Sequence, residues 1–212
     1  DEWIDETRAA LSRSVRRRLM ADVPLGVFLS GGLDSSTVVA LMAEHVPARD
    51  IQTFSIAFDD PSFDESSHAR AVAAHFGTQH HERTFSADAM VDVLPRVLAH
   101  LDEPFADASI LPTYLLSGFT RERVTVALGG DGGDELFCGY ETFRADPVAD
   151  AWRRVPAVAR RAVAAAAARM PVSTDNFSLD FVVKSFLRGA DAPPERRHTR
   201  WLSAFLPHTP DD

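Results

Sequence analysis

The sequence predicts an α/β domain: a doubly wound, mostly parallel sheet with helices on both faces. Two observations predict it. Short apolar segments bounded by turn residues alternate with segments of helical period, and each of two glycine-rich stretches directly follows one of those apolar segments. Strands alternating with helices imply βαβ units, and right-handed crossovers put helices on both faces. Beyond Tyr140 the strand signal stops and helical segments take over. The domain is therefore expected to run into the start of a helical extension.

Taken in order, residues 1–20 place Trp3, Ile4, Leu11, Val15 and Leu19 on one face of an amphipathic helix. Arg16, Arg17 and Arg18 close it, where positive charge complements the helix dipole and meets solvent. After Pro24, the run Leu25-Gly26-Val27-Phe28-Leu29 reads as a buried strand. A helix is expected over residues 36–44, a strand over 52–58, and a helix over 64–76 that Gly77 stops. A strand over 79–85, a helix over 87–100, a helix over 112–119 and a strand over 124–128 follow. The remainder predicts helices over 148–170 and 176–188, with breaks at Pro171 and at Pro193-Pro194. There is no internal repeat.

Composition narrows the function classes. At 212 residues and 45% hydrophobic, the chain can bury a proper core. A net charge of −9 argues against a protein that coats nucleic acid by neutralising phosphates. It does not forbid a local anion site, because backbone amides and a metal ion can supply the field there. No apolar run approaches the ~20 residues of a membrane span, and no signal peptide opens the chain. The single cysteine, Cys138, excludes an internal disulfide and suits a reducing cytoplasm. Lys184 is the one lysine among 22 basic residues. That bias and the alanine-rich tract over residues 162–168 reflect base composition rather than function.

The strongest motif is Ser30-Gly31-Gly32-Leu33-Asp34-Ser35-Ser36, set between a buried strand and a helix. In an open parallel sheet, ligands bind at the carboxyl ends of strands. Two glycines allow a tight turn and close approach of an anion to the amides. The following helix adds unpaired N–H groups and the positive end of its dipole. Ser30, Ser35 and Ser36 can donate hydroxyl hydrogen bonds to phosphate oxygens. Asp34 would repel phosphate unless a hard cation sits between them, which points to Mg²⁺. Neither the Walker pattern nor the dinucleotide fingerprint is present. The stretch resembles the pyrophosphate-binding loop of the ATP pyrophosphatases, whose fold is adenine nucleotide alpha hydrolase-like. That family splits ATP between its α and β phosphates. The loop sets a reaction class and leaves the substrate open.

A second motif, Leu128 to Tyr140, follows another expected strand. Four glycines among residues 129–133 make a loop that can approach a ligand closely, and Asp131, Asp134 and Glu135 lie in or beside it. Acids this dense need cations or donors. The segment resembles the second signature of the asparagine synthetase family. By that resemblance, Asp134 binds Mg²⁺ jointly with Asp34, and Asp131 matches a position linked to forming the acyl-adenylate. Gly129 and Gly130 match nucleotide-contacting positions; Gly129 stands where many relatives have serine, which removes a hydroxyl. Leu29 and Ile56 match residues flanking the adenine, although both also read as ordinary sheet core. Residues 102–109 and 112–114 resemble the family's segment between the sheet and the acidic loop.

The resemblance implies an ATP-dependent ligase domain over residues 1–145, followed by an incomplete helical extension over 146–212. It also implies ATP and Mg²⁺, with aspartate or a related carboxylate and ammonia as substrates, and leaves a homodimer open. Full-length members begin with a glutaminase domain bearing an N-terminal cysteine nucleophile, and continue to a catalytic lysine. The chain is therefore expected to be part of a longer protein, with half of the active site encoded here. Within the class, β-lactam synthetases and lasso-peptide cyclases are rivals; outside it, a non-catalytic nucleotide sensor is. Retention of Asp34, Asp131 and Asp134 favours chemistry. His75, His80 and His81 lack metal-ligand spacing and are expected to be solvated or hydrogen-bonded. Cys138 is expected to be buried.

Overall fold

The computed structural model describes residues 1–103, 105–173 and 177–203. Pro104, in one family-like stretch, and Asn176, the expected start of the last helix, lie outside the described residues, as does the end of the extension from residue 204. Two compact units make up the chain, Asp1–Gly132 and Gly133–Asp212.

The first unit carries a four-stranded parallel sheet in the order β3-β2-β1-β4. Its strands are β1 (Leu25–Phe28), β2 (Gln52–Phe58), β3 (Gln79–Phe85) and β4 (Val126–Leu128). Its helices are α1 (Glu2–Arg18), α2 (Leu33–Ala43), α3 (Ser66–Phe76), α4 (Ala87–Leu98) and α5 (Ile110–Arg121). Alternation along β1 sends its side chains to opposite faces. Val27 joins one apolar cluster with α1, α2 and α3 residues such as Val15, Val39, Met42 and Ala73. Phe28 joins another with Phe54, Phe119 and Val124. The sheet is thus covered on both faces, as expected.

β4 is shorter than the five residues expected. Its pairing partner β1 begins only after Pro24, which has a carbonyl to offer Thr125 and Val126 but no N–H. Helix α3 ends at Gly77, whose φ of 74° is the left-handed cap that glycine adopts without strain.

The β2–β3 pair holds the two adjacent histidines in different settings. His80 meets the Thr53 hydroxyl at 2.9 Å and the Ser55 hydroxyl at 3.3 Å. His81, on the other face, stacks on Phe54 at 5.0 Å, and its Nε2 is buried without a partner among the described residues. Burial holds both rings below the usual histidine range; Arg123 and His80 add to this for His81, while Glu82 partly opposes it for His80. The unfolded chain therefore takes up these protons first, and stability should fall as pH drops below about 6.5. Urea midpoints at pH 7.5 and 5.5 should differ in the wild type. The His80→Gln/His81→Phe double variant should flatten that difference; an equal slope in both would refute it.

The second unit is helical among its described residues: α6 (Gly133–Phe137), α7 (Glu141–Arg153), α8 (Ala157–Ala167), α9 (Leu179–Ala190) and α10 (Pro194–Leu202). The single helix expected over 148–170 is two. Pro156 lacks an N–H and disfavours helical backbone at Val155, so the chain turns there and restarts. Arg197 of α10 is 0% exposed. Its guanidinium donates to Asp146 at 2.8 Å and Asp150 at 2.7 Å on α7, and to the Ala192 carbonyl. A buried cation survives because each of its faces has an acceptor. Gly189 lets α9 and α10 close up: a Cβ there would lie 2.5 Å from the Trp201 indole nitrogen. No described helix is long and apolar enough to cross a membrane.

Candidate functional site

Helix α2 begins at Leu33, three residues before the expected start. Gly32, at φ −67° and ψ 166°, is its N-cap, so Asp34 and Ser35 lie in the first helical turn rather than in a loop. The first turn of a helix leaves N–H groups without an intrahelical acceptor and carries the positive dipole end. The motif therefore supplies a short loop and a helix terminus at the carboxyl end of β1.

The serines divide the work. Ser35 is buried and braces the loop: its hydroxyl lies 3.0 Å from that of Ser30, accepts from the Ser30 N–H and reaches the Gly32 carbonyl at 3.4 Å. The Ser30 hydroxyl in turn accepts from the Gly32 N–H at 3.2 Å. Ser36 Oγ is buried with no hydrogen-bond partner among the described residues, and such a hydroxyl is costly to leave unsatisfied. Gly31 is required twice over. Its φ is +86°, and a Cβ there would lie 2.5 Å from the α3 backbone at His68 and Ala69.

The second motif begins where β4 ends. β1 and β4 pair in register, Val27 against Leu128, so the two motifs leave the sheet side by side. β1 connects onward through the β2 side while β4 lies on its other flank, which makes this the point where strand order reverses. Ligands in open α/β sheets bind at such a point. Gly130 presses on the first motif. A Cβ on it would lie 2.8 Å from the Ser35 nitrogen and 2.9 Å from Asp34 Cβ. Gly129 lies under the Asp131 carboxylate, and a Cβ there would collide with it. A serine at this position would thus force Asp131 aside.

Leu29 follows β1 and donates its N–H to the Phe54 carbonyl at 2.9 Å. Leu29 is 1% exposed and packs in the core, so its side chain does not face a ligand. Ile56, half-buried, lies on the neighbouring strand, opposite Arg83 of β3. Asp134 lies in the second unit, in the first turn of α6, with its carboxylate against Gly139. The stretch expected as an open loop is helical over Gly133–Phe137. Tyr140 donates to Glu135 at 2.5 Å and holds that carboxyl below the usual carboxylate range.

Cys138 corrects an expectation: it is exposed rather than buried. It ends the short α6 at φ 57°, where the chain turns, and a turn after a five-residue helix has no layer packed over it. Among the described residues no group of three or more His, Cys, Asp or Glu could hold a metal unaided. Lys184 pairs with Asp180 at 3.1 Å on α9.

A family model for asparagine synthase matches residues 6–207. Glutamine-hydrolysing asparagine synthetase 1 of Bacillus subtilis is 36% identical over 171 residues, covering 81% of this chain and 27% of its own length. A putative glutamine-hydrolysing asparagine synthetase of Methanocaldococcus jannaschii is 40% identical over 172 residues, covering 81% of this chain and 32% of its own. The chain thus spans about a third or less of the relatives it matches. Among solved structures, an NH₃-dependent NAD synthetase from Campylobacter jejuni covers 64% of this chain and 60% of its own, at 14% identity and a TM-score of 0.45.

Proposed function

The chain belongs to the asparagine synthase family, and we propose that it is the ATP-binding part of a synthetase that activates a carboxylate by adenylation. One observation supports this most: the Gly130 backbone is pressed against Asp34 and Ser35 where the strand order reverses. Two glycine-rich backbones and a helix terminus then lie together at the carboxyl ends of β1 and β4.

In this reading, an aspartate carboxylate oxygen attacks the α-phosphorus of ATP. The bond from that phosphorus to the bridging oxygen breaks, and pyrophosphate leaves with the electron pair. The loop over Ser30–Ser36 and the first turn of α2 hold the pyrophosphate, with the Ser36 hydroxyl as donor. Gly129 and Gly130 admit the nucleotide, Leu29 and Ile56 flank the adenine, and Asp131 assists formation of the acyl-adenylate. Ammonia then attacks the acyl carbon, AMP departs, and loss of a proton leaves the amide. In the whole protein, a separate glutamine-hydrolysing domain would supply the ammonia.

Two carboxylates, Asp34 and Asp134, would hold Mg²⁺. That donor set suits a hard cation that takes its remaining ligands from phosphates and water. When bound, the ion neutralises charge on the leaving group. The rest is positioning and preorganised charge.

The chain should bind ATP, and pyrophosphate should compete it away in equilibrium titrations. With ATP, Mg²⁺, aspartate and ammonium, any cleavage should give AMP and pyrophosphate. Release of ADP and phosphate, or no ATP binding by folded chain, would sink the reading.

A further inference from the structure

The β2–α3 connection holds Asp64. One of its carboxylate oxygens accepts from the Phe58 N–H at the end of β2, at 3.4 Å, and from the Ser66 N–H at the start of α3, at 3.2 Å. The other accepts from the Ser66 hydroxyl at 2.9 Å. Ser66 is 2% exposed, so this hydroxyl has no solvent to fall back on. Burial pushes the Asp64 carboxyl up, but the hydrogen bonds from Ser66 and Phe58 and the nearby Arg70 outweigh it and hold it below its usual range.

The turn that Asp64 anchors is the one that touches the phosphate loop. The backbone at His68 and Ala69 fills the space beside Gly31, close enough to exclude a Cβ. Ala69 is fully buried in the core, so this turn cannot withdraw without opening the core. Gly31 itself sits at φ +86°, which glycine adopts freely, so the backbone packed beside it, and no side chain of its own, fixes the loop there.

We propose that Asp64 is a positioning residue for the phosphate loop: it ties β2 to α3, and the α3 backbone so fixed sets the shape of residues 30–36. The proposal rests on the nucleotide-site reading for its consequence, though not for its geometry. Asp64 touches no substrate. It acts through α3 on the loop whose amides receive the pyrophosphate.

The test compares wild-type chain with Asp64→Ala, Asp64→Asn and Ser66→Ala. In ligand-free protein, amides of residues 30–36 should exchange hydrogen about tenfold faster in Asp64→Ala, with β3 amides unchanged. By calorimetry, ATP and inorganic pyrophosphate should each bind about tenfold more weakly to that variant, while adenosine, which lacks phosphates, binds equally. Asp64→Asn keeps an oxygen acceptor for both backbone N–H groups and should recover to within about threefold of wild type. Unchanged loop exchange would overturn the proposal. So would equal weakening of ATP and adenosine, the mark of general destabilisation. Should Asp64→Ala not fold, Ser66→Ala, which removes one of the three bonds, should still speed loop exchange about threefold, and no change there refutes the role. A wild-type chain that fails to bind ATP would sink the nucleotide reading, leaving the exchange data to decide the positioning.

Discussion

Replacing Gly130 by leucine should weaken ATP binding about a hundredfold, equivalent to about 2.8 kcal/mol. The reason is steric and local. A Cβ at this position would already lie 2.8 Å from the Ser35 nitrogen and 3.0 Å from the Asp34 carbonyl carbon. Those are backbone atoms at the start of α2, which cannot swing aside as a side-chain tip can. The leucine must either push the helix terminus away from the phosphate position or fill the crevice itself. Gly118→Ala is the matched control, because a Cβ at Gly118 in α5 meets nothing within 4 Å. It should bind ATP as wild type does. Calorimetry on both variants, with circular dichroism to confirm folding, decides it; wild-type affinity in folded Gly130→Leu would refute the placement.

Removing the two proposed metal carboxylates should abolish the Mg²⁺ dependence of ATP binding. In wild-type chain, saturating Mg²⁺ should strengthen ATP affinity by about tenfold or more, because a cation held by the two carboxylates would offset the phosphate charge. Asp34→Ala and Asp134→Ala should each lose most of that gain, and the double variant should lose little further. Such non-additivity is the signature of two groups serving one ion. Additive losses would mean separate roles for the two acids. Undiminished Mg²⁺ dependence in the double variant would refute the metal role altogether.

The glycine turn and the helix start of the candidate site were legible in the sequence because they are built from local chemistry. Glycine pairs after an apolar run announce a close-approach turn, and a serine- and aspartate-bearing segment announces a helix start. The division of labour among the serines was not legible. Ser30, Ser35 and Ser36 look equivalent on paper, yet Ser35 braces the loop and Ser36 Oγ has no partner among the described residues. Which hydroxyl turns inward depends on the helix beginning at Leu33, not on residue type. Asp64 had a weak signal, an acid two residues before a serine at a helix start. Its link to Gly31 runs through α3 and could not be read along the chain. Cys138 shows the reverse error, since a residue type usually buried is exposed where a short helix turns.

By itself the sequence determined the alternation of strands and helices, the two glycine-rich motifs and the places where they leave the sheet. These follow from hydrophobic period and turn chemistry, which act over a few residues. Only the tertiary structure decided the strand order β3-β2-β1-β4, which sets β4 beside β1 and so brings Gly130 onto Asp34 and Ser35. It alone buried the Leu29 side chain and closed acceptors around Arg197. Pairing and packing join residues about a hundred positions apart, as Val27 with Leu128. Their energies depend on which surfaces meet, and no local pattern carries that information.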